Sequence, residues 1–105
     1  MKLYFYNLDT YGSNPKGLYV EECEAEERPK TYRAVNGAFP NYYGTARKDD
    51  VGRIINFNYL FLTEPNFEYA KEVFRNGAER RIANKLEEIE KLKAELKIIN
   101  ESEEN

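Results

Sequence analysis

One change of period divides this chain. Up to Thr63, aromatic and branched apolar residues alternate with polar ones. From Phe67 onward they recur every three or four positions: Phe67, Ala70, Phe74 and Ala78, then Ile82, Leu86, Ile89, Leu92, Leu96 and Ile99. Alternation puts one face of a strand in a core, whereas a spacing of about 3.5 makes one stripe on a helix. The order implies α+β, with an N-terminal antiparallel sheet of four to five strands followed by a long or broken C-terminal helix. At 105 residues the chain is one domain. Its expected parts are a sheet over 1–63 and a helical segment over 66–99, together the α+β domain 1–99, with a disordered acidic tail over 100–105.

The strands follow from local composition. Leu3 to Leu8 is dense in Tyr, Phe and Leu and predicts a strand. Asp9 to Gly17 holds two Gly, a Pro and turn-forming polar residues, so it predicts a loop. Leu18 to Ala25 resumes strand character and completes a hairpin. Arg28-Pro29-Lys30 breaks the pattern, Thr31 to Val35 is a short third strand, and Asn36-Gly37 is a turn signal. Phe39 to Thr45 reads as an edge strand or an ordered loop. Asp49 or Asp50 caps a short helical turn through Ile55. Phe57 to Thr63 is the last strand, and Thr63 or Asn66 caps the helix that follows.

Asn76-Gly77 interrupts the helical stripe. Gly costs about 1 kcal/mol relative to Ala inside a helix, and it is the usual residue just past a helix end. Two arrangements follow, one kinked helix from about Asn66 to Ile99 or two helices meeting at Gly77, and the second is the preferred expectation. From Ala78 to Ile99 the segment spans about 33 Å at 1.5 Å per residue, against a radius of gyration of about 13 Å for a body of this size. Its stripe is narrow and flanked by Glu and Lys. Phe67 to Phe74 therefore predicts docking on the sheet. Ile82, Leu86, Ile89, Leu92, Leu96 and Ile99 predict the interface of a homo-oligomer, a dimer or a higher even number.

Composition removes most chemistry. The chain has no His and one Cys. That excludes His-based acid–base catalysis, Ser-His-Asp triads and Cys/His zinc sites. No glycine-rich phosphate loop occurs. The expectation is a protein that is no enzyme, with no catalytic residues, no metal and no cofactor. Cys23, lacking a partner, predicts a reducing compartment and a structural role. The N-terminus has no apolar signal region and no run reaches the ~18–20 residues of a membrane span. A cytoplasmic location and no membrane partner follow. A net charge of −3 argues against direct nucleic-acid binding. The run Glu21, Glu22, Glu24, Glu26 and Glu27 reads as a solvated strand end, or as a contact surface for a basic partner.

What remains suits binding. Nine Tyr and six Phe are interspersed with arginines. Arg forks match phosphates and aromatic faces stack on bases. Tyr42, Tyr43, Arg47 and Arg53 fall between strands, where loops carry function. Arg80 and Arg81 follow the expected break at Gly77, where a new helix would present free N–H groups to an anion. These six are the candidate ligand-binding residues for a nucleotide-type molecule.

Three segments, Glu26-Glu27-Arg28-Pro29-Lys30-Thr31-Tyr32-Arg33, Thr45-Ala46-Arg47-Lys48-Asp49-Asp50-Val51-Gly52 and Phe67-Glu68-Tyr69-Ala70-Lys71-Glu72-Val73-Phe74, resemble in style small proteins carried by phages and prophages of low-GC Gram-positive bacteria. That class includes anti-defence proteins: anti-CRISPR inhibitors, and anti-Thoeris sponges that sequester a cyclic nucleotide-like signal between subunits. The resemblance implies a non-catalytic anti-defence binding protein in a bacterial host cell that sequesters a nucleotide-derived immune signal. The alternatives it leaves open are an inhibitor of a host defence protein such as a CRISPR nuclease, and a helix-mediated assembly accessory.

Overall fold

In the computed structural model, residues 1–104 are described. Six strands and one long helix form in the order β1 (Lys2–Asp9), β2 (Gly17–Glu27), β3 (Thr31–Ala34), β4 (Thr45–Arg47), β5 (Ile54–Ile55), β6 (Tyr59–Leu62) and α1 (Phe67–Glu101). The strands make one curled antiparallel sheet of order β4-β3-β2-β1-β6-β5. The α+β class and the order of its parts are as expected; the strand count is higher. The chain divides into two compact units, Met1–Phe74 and a second beginning at Arg75.

β1 is the central strand of the first unit. It pairs with β2 from Lys2–Glu24 to Asp9–Gly17, and on its other edge with β6 from Tyr4–Leu62 to Asn7–Tyr59. Its alternating side chains build two cores. Leu3 and Phe5 join Ala25, Tyr32, Phe39, Ala46 and Phe61 on one face. Phe5 stacks between Phe39 and Phe61, at centroid separations of 5.0 and 5.3 Å. On the other face Tyr6 packs with Leu60, Leu62, Ala70 and Phe74. The first two turns of α1 thus dock on the sheet, and the last two of these are the buried residues of that helix.

Several local expectations change. Asn56 and Phe57 both have positive φ, 51° and 70°. That left-handed pair closes the tight β5–β6 hairpin, so the last strand starts at Tyr59 and not at Phe57. Lys48–Asp50 forms a single 3-10 turn, and Ile54–Ile55 is strand instead of a continued helical turn. Phe39 to Gly44 is loop, held by the Phe39 N–H on the Tyr43 carbonyl at 2.8 Å. Of the two proposed caps for α1, Asn66 acts: its Oδ1 accepts the Tyr69 N–H at 3.0 Å. Tyr6 supplies a second anchor, its hydroxyl accepting the Asn66 N–H at 2.7 Å.

The expected break at Asn76-Gly77 does not occur; α1 runs without interruption to Glu101. A penalty near 1 kcal/mol for one Gly is smaller than the cost of starting a second helix, since nucleation is the unfavourable step. Asn100 and Glu101, expected in the tail, are helical. Ser102–Glu104 lie outside it, and Asn105 lies outside the described residues.

Candidate functional site

Within the first unit, the structure brings two of the four predicted ligand residues there into one cleft. Tyr43 and Arg47 line a cleft of about 330 Å³, together with Asn41, Asp50, Asn56 and the edge of Phe61. This volume is at the lower end for a small-molecule site, roughly 300–1,000 Å³. Arg47 and Thr45 come from β4, Asn41 and Tyr43 from the loop before it, and Asn56 from the β5–β6 turn. Asn41 is buried, and its Oδ1 accepts the Tyr43 N–H at 3.4 Å, which orients the aromatic loop over the cleft. The charge here is balanced: Arg47 faces Asp49 at 3.7 Å, and Asp50 is in the wall.

Tyr42, next to Tyr43 in sequence, does not line that cleft. It has φ of 69° and is 88% exposed. Arg53 is exposed and also lies outside the lining; its N–H donates to the Asp50 carbonyl at 3.0 Å within a turn. Arg80 and Arg81 belong to the second unit and sit within α1. With no helix start at Gly77, the backbone N–H groups there are used within the helix, and the anion site expected from them is absent. The Arg81 Nε donates to the Gly77 carbonyl at 3.4 Å.

A polar cluster on the sheet escaped the sequence reading. Asn7 lies between Tyr19 of β2 and Tyr59 of β6 in the cross-strand register. It is 4% exposed, its Nδ2 donates to the Phe5 carbonyl at 3.3 Å, and its Oδ1 has no partner. Burial pushes the Tyr19 and Tyr59 hydroxyls above their ordinary values; the nearby Glu21 adds to the first and Tyr42 to the second. Lys16 places its ammonium 5.2 Å from the centre of the Tyr19 ring. The signal was an Asn on the same strand phase as Leu3 and Phe5, where an apolar residue belongs.

The acidic run is largely occupied by cations of the same chain. Glu22 meets Lys2 at 3.3 Å, Glu26 meets Arg28 at 3.4 Å, and Glu27 meets Lys48 at 2.7 Å. Glu24 is 4.0 Å from the N-terminal ammonium. Cys23 is half-buried beside this run, and burial, helped by Glu21, raises its thiol. A raised thiol carries less thiolate, which fits the structural role expected for it. Among the described residues no group of three metal-ligating side chains occurs, and no helix is long and apolar enough to cross a membrane.

The second unit has a different surface. Ile82, Leu86, Ile89, Leu92, Leu96 and Ile99 are each between 45% and 59% exposed. They form one stripe along α1, flanked by ion pairs such as Glu87–Lys91 at 3.4 Å and Glu90–Lys93 at 3.5 Å. Against known proteins, no family model, no curated protein and no solved structure matches this chain.

Proposed function

We propose that this is a non-catalytic binding protein whose chief interaction element is the second half of α1, and that this helix pairs with the same helix of a second copy. The observation that carries the reading is the exposed stripe from Ile82 to Ile99. Each such side chain gains about 1.5–3 kcal/mol when fully buried. Contiguous apolar surface of this kind, rimmed by charge, is the mark of a protein contact. Its near-heptad spacing suits another helix, as in a coiled coil. Light scattering at tens of micromolar, a rough working range for a specific interface, is expected to give a dimer or a higher even number. Ile89→Asp with Leu92→Asp is expected to give a monomer, because each pairing would bury unpaired charge. A monomer for the unaltered protein sinks the reading.

The cleft favours a second role, capture of a small nucleotide-type ligand. Tyr43 offers a stacking face, Arg47 a phosphate contact, and Asn41 and Asn56 amides for a base edge. Within the phage-borne class the sequence resembles, the ligand would be a nucleotide-derived immune signal. The protein-target alternative is weakened by the ion pairs that already engage Glu22, Glu26 and Glu27. Calorimetry with cyclic nucleotides and cyclic ADP-ribose isomers tests the capture role. Arg47→Ala is expected to weaken binding more than tenfold, the scale of one charged hydrogen bond, about 1.5–3 kcal/mol. No binding to any of these ligands leaves the paired helix as the protein's interaction element.

A further inference from the structure

We infer that the paired helices run antiparallel, in the register that sets Ile82 opposite Ile99 and Ile89 opposite Leu92. This rests on the self-association reading above and adds its direction. The stripe is nearly symmetric about the point midway between Ile89 and Leu92. Reversing one copy therefore lays apolar residues on apolar residues along its whole length, with Leu86 falling within one position of Leu96.

Charge gives the direction. The start of the segment is basic, with Arg80, Arg81 and Lys85 against Glu79. The end is acidic: beyond Lys97 come Glu101, Glu103 and Glu104 with no cation. Within one chain that end is unfavourable, because a helix C-terminus carries partial negative charge and the last turn of α1 holds no basic residue. Within the chain Lys97 lies 4.0 Å from Glu101, and an antiparallel partner supplies further cations. In the stated register the basic end of one copy, Arg80 to Lys85, lies alongside the acidic end of the other, and Lys85 falls within one position of Glu95 on the same flank of the stripe. Two-fold symmetry repeats each pairing, since a closed dimer uses the same patch on both copies. A parallel, in-register pair does the reverse. It sets the basic end beside the basic end and the acidic end beside the acidic end, and like charges in apposition select against a pairing.

The same arrangement gives Arg80 and Arg81 a role that a phosphate site at Gly77 cannot. They become part of the basic end whose charge chooses the orientation.

Disulfide trapping in a Cys23→Ala background tests the direction. Ile82→Cys and Ile99→Cys are prepared as separate proteins, mixed, exchanged and oxidised. A disulfide needs Cα atoms about 4.4–6.8 Å apart. Residues 82 and 99 are about 26 Å apart along one helix at 1.5 Å per residue. The antiparallel pair is expected to give the mixed disulfide and no cross-link of either variant with itself. Self-linked Ile82→Cys and Ile99→Cys products, or a dimer that gives no mixed product, overturn the proposal while leaving self-association intact. Light scattering on the unaltered protein separates the two claims, since a monomer there removes the reading beneath. A second series is independent of cysteine placement. Arg80→Glu with Arg81→Glu is expected to weaken dimerisation about fivefold in low salt, the upper range for exposed ion pairs. Adding Glu101→Lys and Glu103→Lys to the same chain is expected to restore it. Weakening without rescue, or no weakening at all, overturns the antiparallel direction.

Discussion

The two units use apolar residues in opposite ways. In Met1–Phe74 they close on one another: Phe5 and Phe61 are fully covered, and β1 faces a core on both sides. From Arg75 onward the helix carries a regular apolar stripe but buries none of it; the buried residues of α1 are Ala70 and Phe74. A solitary helix in water is marginal, because its backbone hydrogen bonds barely offset the ordering of the chain. Ion pairs such as Glu87–Lys91 add only about 0.2–0.5 kcal/mol each. The first unit is therefore stabilised by its own packing, whereas the stripe of the second faces solvent.

Disrupting the aromatic stack is the strongest way to break that contrast. Phe5→Ala removes the ring held between Phe39 and Phe61. Buried Phe→Ala changes cost about 3–5 kcal/mol. Urea unfolding followed by tyrosine fluorescence is expected to show a loss of that size. The helix pairing measured by light scattering is expected to persist in folded protein. Loss of pairing at unchanged sheet stability would mean the units depend on one another more than the packing implies.

Gly52 tests how tightly the first turns of α1 are docked. Its φ is 78°, and an added Cβ would lie 3.0 Å from the Tyr69 hydroxyl. That hydroxyl donates to the Gly52 carbonyl at 3.4 Å. A left-handed conformation costs a non-Gly residue roughly 1–2 kcal/mol, so Gly52→Ala is expected to lower stability by at least that amount. Asn66→Ala removes the capping oxygen and is expected to cost about 1 kcal/mol, the usual value for a lost cap. Neither change touches the stripe, so neither is expected to alter oligomer size.

The contrast between the units also explains what the sequence made legible. Period two and period three-and-a-half are the signatures of half-buried strands and striped helices, so the sheet, α1 and the docking of Phe74 could be read directly. The β5–β6 turn could not, because Phe57 at positive φ contradicts its own preference. A bulky residue takes that conformation only when the surrounding structure requires it. Gly77 misled for the opposite reason: its local preference is real but too weak to stop an established helix. Of the candidate site, Tyr43 and Arg47 share a cleft, while Tyr42 and Arg53, though neighbours in sequence, do not line it. A strand or loop of a few residues points side chains in different directions, and proximity in sequence carries no promise of convergence. Asn7 was visible as a polar residue on an apolar phase, but its position between Tyr19 and Tyr59 depends on strand order, which no local pattern records.

The smallest expected effect concerns the edge of the sheet, and its sign follows from one ion pair. The Lys48 ammonium, hydrogen-bonded to Glu27 at 2.7 Å, holds that carboxyl below its ordinary value of 4.5. A carboxyl with a depressed native value favours the folded state above the ordinary value. That contribution is lost as pH falls through the lowered native value, when the proton binds and the pair breaks. Folding stability is thus expected to decline slightly on acidification below 4.5. Both groups are solvent-facing, so salt should shrink the effect, with screening over about 10 Å at 0.1 M. Lys48→Met keeps an apolar stem over the Tyr32 ring, on which the ammonium now sits at 5.4 Å, while removing the charge. Carbon-detected NMR titration of Glu27 is expected to show its value rising toward the ordinary range in Lys48→Met. An unchanged value in the variant would show that Lys48 is not what holds the Glu27 carboxyl down.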